Sequence, residues 1–291
     1  MHFVVIGAGN MGCVYGANLA RAGRQVSLVD VWVEHVQAIE TRGLRLEGLH
    51  GSFTARVQAT VDPARVRNAD VALICVNAYH TGVAAATAVE TLSPDGFVVP
   101  LQNGLGNVET LVQELGETRV LPGLTFHSGD LVQPGQVTHT NQGPTYLGEL
   151  DGSQSERLLA LRDVLAAADM NPVLESDIMA TIWQKVVLNC AINAICAITD
   201  LRPGHISEVR SWTSFRPGSW KRCWPWRGLG ESPCPSRSPW ARSRNTAPAS
   251  SIVSPCSSTC SAAGRRRSTP STATWPASHR SWVCRLRATS P

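Results

Sequence analysis

Lys185, Asn189 and Asn193 lie in the stretch Trp183-Gln-Lys-Val-Val-Leu-Asn-Cys-Ala-Ile-Asn193, at i, i+4 and i+8. On a helix this spacing stacks one ammonium and two amides on a single face. The residues between them, Val186, Val187, Leu188, Ala191 and Ile192, are apolar. Polar groups on a mostly buried helix need partners. A small acidic substrate with hydroxyls would supply them, and so would neighbouring loops capped by the stripe. The chemistry open to a positioned ammonium in a closed site is stabilisation and protonation of a developing alkoxide.

A second constellation opens the chain. His2-Phe-Val-Val-Ile6 reads as a strand, followed at once by Gly7-Ala8-Gly9-Asn10-Met11-Gly12. Cys13 to Ala22 reads as a helix closed by Gly23, and Gln25 to Val29 as a second strand ending at Asp30. Strand, glycine turn, helix, strand and acid in this order is the dinucleotide-binding fingerprint. Gly7 would permit the tight turn, Gly9 the approach of a pyrophosphate, and Gly12 the close packing of helix on strand. The helix N-terminus would offer free N–H groups to the phosphates. Asp30 would accept from the adenosine ribose hydroxyls, or else cap the next helix.

The α/β alternation continues. Val71 to Val76 is an apolar strand running into Asn77-Ala-Tyr-His-Thr81, and a helix is expected near Val83–Leu92. The strand Phe97–Leu101 ends in Gln102-Asn-Gly-Leu-Gly-Asn107. Ligands of such sheets sit beyond the carboxyl ends of the strands. Asn77 and Asn103 are therefore placed where a nicotinamide and a substrate carbonyl would meet, although Asn103-Gly104 also reads as an ordinary turn dipeptide. Val120–Thr125 and Gly135–Gly148 suggest two further strands with a hairpin-like return. Ser155–Ala168 suggests an amphipathic helix, and the helix holding Lys185 is expected to begin near Ser176.

The chain of 291 residues has a formal net charge of +4, which hides a division. Residues 1–209 hold 12 Lys and Arg against 21 Asp and Glu, a net of −9; residues 210–291 hold 14 against 1, a net of +13. The second part also carries 7 of the 9 Trp and 10 of the 18 Pro. Cys13, Cys75, Cys190 and Cys196 lie in apolar segments without paired spacing, so they read as reduced core thiols, neither disulfides nor metal ligands. The His residues are scattered, and no metal is expected. No apolar run reads as a membrane span and no signal peptide is expected before the first strand; the reduced thiols read as those of a cytoplasmic protein.

Taken together, VIGAGNMG, QNGLGN, PGQVTHTNQGPTYLGEL and WQKVVLNCAIN, in that order and at that spacing, resemble the ketopantoate reductase (2-dehydropantoate 2-reductase) family over residues 1–209. The resemblance implies a Rossmann domain followed by a helical domain, and NADPH-dependent reduction of an α-keto acid on the route to pantothenate. By position, Lys185 would be the general acid and Asn103 would hold the carbonyl oxygen. Asn189 and Asn193 would bind the hydroxyl and carboxylate end of the substrate. Two departures stand out. Asn77 occupies a position where the family usually has Lys, and Val31, preceded by Asp30, occupies that of the cofactor-phosphate Arg. NADP(H) is thus the cofactor implied by resemblance, and NAD(H) the one that Asp30 and Val31 suggest.

From Arg210 onward no periodicity holds, and the helices and TEIDAINGYL-like motif that the family implies are missing. Reading each codon one frame away, from the last base of one into the first two of the next, restores them. Ser211 to Pro235 becomes VVDELPAGVLEEVLAVARARGVALP, an amphipathic helix with a turn. Pro255 to Ser261 becomes MLQHLL, and Arg265 to Ser278 becomes TEIDAINGYLARI. All three use one frame, which places a frameshift near Val209–Arg210. The competing reading is a basic, disordered, nucleic-acid-binding arm centred on Arg265-Arg-Arg267, whose aromatics lack regular interleaving with Arg.

The expected organisation is a doubly wound Rossmann domain over 1–172, the start of a helical substrate domain over 173–209, and an out-of-frame or disordered tail over 210–291. The expected partner is a small α-keto acid, with no membrane and with nucleic acid disfavoured. Oligomeric state is left open, a homodimer included. The alternatives are a reductase of another branched α-keto acid and a non-catalytic dinucleotide-binding protein. Without the family's later helices, the written chain would bind cofactor and turn over slowly.

Overall fold

The computed structural model describes residues 1–49, 51–201 and His205. Its first half alternates strand and helix: β1 (His2–Ile6), α1 (Asn10–Arg21), β2 (Gln25–Val29), α2 (Val33–Arg42), β3 (Leu44–Gly48), β4 (Phe53–Ala55), β5 (Gln58–Thr60), β6 (Ala69–Ile74), α3 (Thr81–Thr91), β7 (Leu92–Pro100) and α4 (Asn107–Leu115). Then follow β8 (Gly123–Thr125), β9 (Ser128–Gln133), β10 (Gln136–Asn141), β11 (Thr145–Leu147), α5 (Glu156–Ala167), β12 (Pro172–Leu174) and α6 (Ile178–Thr199).

The main sheet is wholly parallel, in the order β5-β2-β1-β6-β7. Its strands β1, β6 and β7 are largely apolar on both faces, as a sheet covered by helices on both sides requires, while β5 at the edge is Gln-Ala-Thr. Phe3 and Val5 of β1 point into one core with α1, α2 and α5, which supply Val14, Ile39 and Leu161. Val4 and Ile6 point into the other with α3, α4 and α6, which supply Ala85, Leu111 and Ile182. The chain order reverses direction across β1 and β6. That switch point puts the ends of β1, β2, β6 and β7, and hence the loops after them, around one crevice.

Two small sheets complete the fold, ordered β4-β3-β10-β9 and β12-β11-β8. The antiparallel β9–β10 hairpin turns through Pro134-Gly135, with Gly135 at φ +80°. Here the structure corrects the sequence reading. Strands β3, β4, β5 and β9 were not expected, because they are short and carry exposed polar or charged side chains. The single strand expected over Gly135–Gly148 is two, β10 and β11. Of Val120–Thr125 only Gly123–Thr125 is laddered, Val120 making a lone bridge to Val98. α3 starts at Thr81, and β7 begins at Leu92, ahead of Phe97.

α6 is capped by Asp177, whose Oδ1 accepts from Ala180 N at 3.0 Å. It buries Ile178, Ile182, Lys185 and Cys196 and packs on β8 and β11. Trp183, Val187 and Ile198 are exposed, Ile198 by 85%. Contrary to the sequence expectation, this 22-residue helix is by length and mean hydropathy (1.4) apolar enough to cross a membrane. Lys185, Asn189 and Asn193 interrupt the apolar run without lowering its average enough. A core helix of a globular protein passes the same test, and α6 packs on β8 and β11 through one face, with only Ile178, Ile182, Lys185 and Cys196 buried. The expectations for residues 210–291, shifted frame and basic arm alike, lie outside the described residues.

Candidate active site

The glycine loop owes its shape to contacts that exclude side chains. Gly7 sits at φ +95°, and a Cβ there would lie 2.7 Å from Val76 Cγ1. A Cβ on Gly12 would lie 1.9 Å from the Gly7 carbonyl oxygen. A Cβ on Gly9 would meet nothing within 4 Å, so Gly9 borders open space. Gly9 is also the N-cap of α1, with no side-chain cap and no acid in the first turn. The first N–H groups of α1 are thus left for an outside anion. Asn10 differs from the other loop residues: its Oδ1 accepts from Leu131 N at 3.0 Å, which ties the loop to β9.

Asp30 ends β2 as expected, but its carboxylate also has local duties. Oδ2 accepts from Ala8 N at 2.7 Å and Oδ1 from Trp32 N at 2.9 Å. A carboxylate has lone pairs beyond these two. Both roles weighed for it, ribose acceptor and local capping, are sterically compatible. Val31, Trp32 and Val33 beside it are exposed, and Glu34 follows, so the start of α2 presents acid and apolar surface and no cation.

The loops after β6 and β7 are tied together by a polar chain. Gln102 Nε2 donates to the Val76 carbonyl at 3.0 Å and to Thr81 Oγ1 at 2.9 Å. Thr81 Oγ1 donates to Asn107 Oδ1 at 2.9 Å, and Asn107 Nδ2 to the Asn103 carbonyl at 3.1 Å. Asn77 and Asn103 are exposed on these loops, the Asn77 amide donating to Tyr79 Oη at 2.9 Å. Gln102, Thr81 and Asn107 were not singled out from sequence. The Gln-Asn-Gly motif was the available signal, and only Asn103 was taken from it.

Met179 and Ile182 of α6 line one crevice with Gln102 and Gly104–Glu109, so α6 meets the loop that carries Asn103. Lys185 follows Ile182 by three residues on the same buried face and is itself only 9% exposed. Its Nζ donates to the Thr125 carbonyl and lies 4.9 Å from the centre of the Phe126 ring. Burial lowers its pKa from 10.5 to about 8. Asn189 and Asn193 are half-buried one and two turns on. An ammonium whose pKa is lowered in this way can donate a proton to a substrate oxygen and recover it from water. Among the described residues no group of three His, Cys, Asp or Glu could hold a metal ion.

These residues fit a dinucleotide. Gly9 leaves room for a pyrophosphate, α1 has an open N-terminus, and Gln102 Oε1, in the loop after β7, is a buried acceptor without a partner among the described residues. They fit a 2′-phosphate poorly, since Asp30 and Glu34 are the charges nearest in sequence.

The family model for ketopantoate reductase PanE/ApbA matches residues 3–152, and the model for its C-terminal part matches 177–215. The 2-dehydropantoate 2-reductase of Halobacterium salinarum is 31% identical over 209 residues, covering 72% of this chain and 69% of that protein. That of Archaeoglobus fulgidus is 35% identical over 202 residues, covering 69% and 65%. The chain thus spans about two thirds of the length of these relatives. Among solved structures, 2-dehydropantoate 2-reductase from Geobacter metallireducens GS-15 superposes with a TM-score of 0.69 at 26% identity, covering 74% of this chain and 71% of that one. A PanE/ApbA family ketopantoate reductase from Ralstonia eutropha JMP134 gives 0.65 at 34% identity, covering 74% and 70%. The chain belongs to the ketopantoate reductase family, whose members are oxidoreductases acting on CH–OH groups.

Proposed function

We propose that this chain derives from a cytoplasmic 2-dehydropantoate 2-reductase that reduces ketopantoate to pantoate for pantothenate synthesis. The observation that carries the reading is Lys185, a buried ammonium with its pKa lowered to about 8, set on the helix that meets the Asn103 loop. A bound NAD(P)H supplies the hydride. Gly7, Ala8, Gly9, Met11 and Gly12 shape the phosphate cradle, Asn10 secures it, and Asn77 lies at the nicotinamide end. Asn103 holds the substrate carbonyl oxygen. Lys185 protonates that oxygen as negative charge develops on it. Asn189 and Asn193 hold the hydroxyl and carboxylate end.

Asp30 and Val31 favour NADH over NADPH, because a 2′-phosphate would face the Asp30 carboxylate, with Val31 where the family has its phosphate-binding Arg. Exposed Asn77, in place of the family's Lys, favours the second reading, a different branched α-keto acid. Titration with NADH and NADPH, followed by a panel of α-keto acids, tests both readings. The expected result is tighter NADH binding and ketopantoate as the best substrate. A tenfold or greater preference for NADPH overturns the cofactor assignment, and a better keto acid overturns the substrate.

The written chain is proposed to be impaired by a frameshift near Val209–Arg210. Supporting this, the C-terminal family model stops at residue 215, and the two relatives match over 209 and 202 residues only. α6 is left with Trp183, Val187 and Ile198 exposed, which favours local opening and aggregation.

A further inference from the structure

His35 of α2 is fully buried (0% exposed), yet no step of the reduction uses it. Its Nδ1 accepts from Gly135 N, in the β9–β10 turn, at 3.1 Å. An accepting Nδ1 carries no proton, so in the neutral ring the proton sits on Nε2. Nε2 lies 3.4 Å from Cys13 Sγ, and the Cys13 thiol donates to the Ala8 carbonyl at 3.0 Å. The Ala8 N–H donates to Asp30, which also accepts from Trp32 N, and the Trp32 indole stacks on His35 at 5.2 Å and 15°. The contacts close into a ring, and Ala8 in the glycine loop has both of its backbone groups held by it.

The geometry has a direct consequence for the loop. In a trans peptide the C=O of one residue and the N–H of the next point in opposite directions. With the Ala8 carbonyl turned to Cys13, the Gly9 N–H points the opposite way across that peptide, away from Cys13, and Gly9 itself has no neighbour where a side chain would stand. We propose that neutral His35, acting through Cys13, is a positioning residue that aims the Gly9 N–H at the dinucleotide pyrophosphate. This rests on the dinucleotide reading of the loop and adds to it a coupling between the phosphate cradle and the β9–β10 turn.

Protonation of His35 would break the ring, because an imidazolium cannot accept from Gly135 N–H. Burial holds the imidazole below its ordinary value of 6.5, while Asp30 across the loop pulls the other way. The groups facing the ring are the Cys13 thiol from α1, the Ala8 backbone of the glycine loop, which like Asp30 favours the protonated ring, the Asp30 carboxylate at the end of β2, the Trp32 indole, and backbone alone from the β9–β10 turn. Burial raises the Cys13 thiol well beyond the ordinary thiol range, so it stays protonated and able to donate.

The test is NADH affinity of the full chain between pH 5.5 and 8, by nicotinamide fluorescence, for wild type, Cys13→Ala, Cys13→Ser and His35→Asn. The thermal melt of each variant is followed in parallel. Cys13→Ala should weaken NADH at least fivefold at pH 7.5, while Cys13→Ser, which keeps a donor to Ala8, should stay within twofold. Wild-type affinity should fall toward the acid end of the range, where the imidazole with its lowered pKa begins to protonate, and His35→Asn, which keeps an uncharged acceptor for Gly135, should lose that pH dependence. A purely structural role would lower the melts and leave both the affinity of folded protein and its pH profile unmoved. Cys13→Ala within twofold of wild type, with a flat wild-type profile, overturns the proposal. Wild type that binds no dinucleotide overturns the loop reading and this inference with it.

Discussion

Gly9→Ala and Gly12→Ala separate the binding role of the loop from its folding role. At Gly9 the backbone has φ −73°, which any L residue adopts, and the new Cβ meets nothing within 4 Å. Alanine there should leave stability unchanged or raise it by about 0.4–1 kcal/mol by restricting the unfolded chain. Ligand binding is another matter, because the Cβ occupies the space through which a phosphate reaches the backbone N–H groups of α1. Losing one charge-assisted hydrogen bond costs about 1.5–3 kcal/mol, roughly 10- to 150-fold in Kd. At Gly12 the Cβ would lie 1.9 Å from the Gly7 carbonyl oxygen, so the loop itself must move. That variant should melt several degrees lower, whatever is bound. The assay is NADH titration by fluorescence alongside a thermal melt without ligand. Gly9→Ala that melts like wild type and binds NADH within twofold of wild type would refute the placement of the pyrophosphate.

Three further outcomes are expected. Lys185 must carry its proton to act, and its pKa is lowered to about 8, so kcat/KM for the keto acid at saturating NADH, in a chain with the restored frame, should be flat below pH 8. Above it the rate should fall about tenfold per unit; a rate rising through pH 8–10 contradicts the acid role. Arg157 grips Glu149 with two hydrogen bonds, at 2.8 and 2.6 Å, and Glu149 is 7% exposed. Arg157→Met should therefore cost on the order of 3 kcal/mol in urea unfolding, by leaving a buried carboxylate unpaired. Peptide mass spectrometry beyond Glu208, on protein from the natural source, should find shifted-frame peptides such as GVALP. Peptides such as SWTSFRPGSWK would establish the written tail as the translated one.

The parallel sheet was legible because its strands are continuous apolar runs punctuated by glycine, as at Val71–Val76 and Gly7–Gly12. The edge elements were not. Arg45 and Glu47 in β3 alternate with Leu44 and Leu46 in a strand only five residues long, and such a pattern is also that of a loop. Lys185 stood out by its spacing to Asn189 and Asn193, but its holders, the Thr125 carbonyl and the Phe126 ring, did not. A backbone carbonyl has no residue signature, and a phenylalanine has too many other uses. His35 was missed for a similar reason: its partners, Gly135 N and Cys13, are 100 and 22 residues away, and no local spacing announces them.

We propose that the described α/β unit belongs to a dinucleotide-dependent keto-acid reductase and that the written tail impairs it. The most direct measurement compares the written chain with the same gene read in the shifted frame beyond Glu208, for NADH affinity and for kcat with ketopantoate. The account predicts NADH affinities within about threefold of each other and turnover on the order of 1–1000 s⁻¹ in the restored chain alone. Turnover in that range by the written chain, or no dinucleotide binding by either, would contradict it.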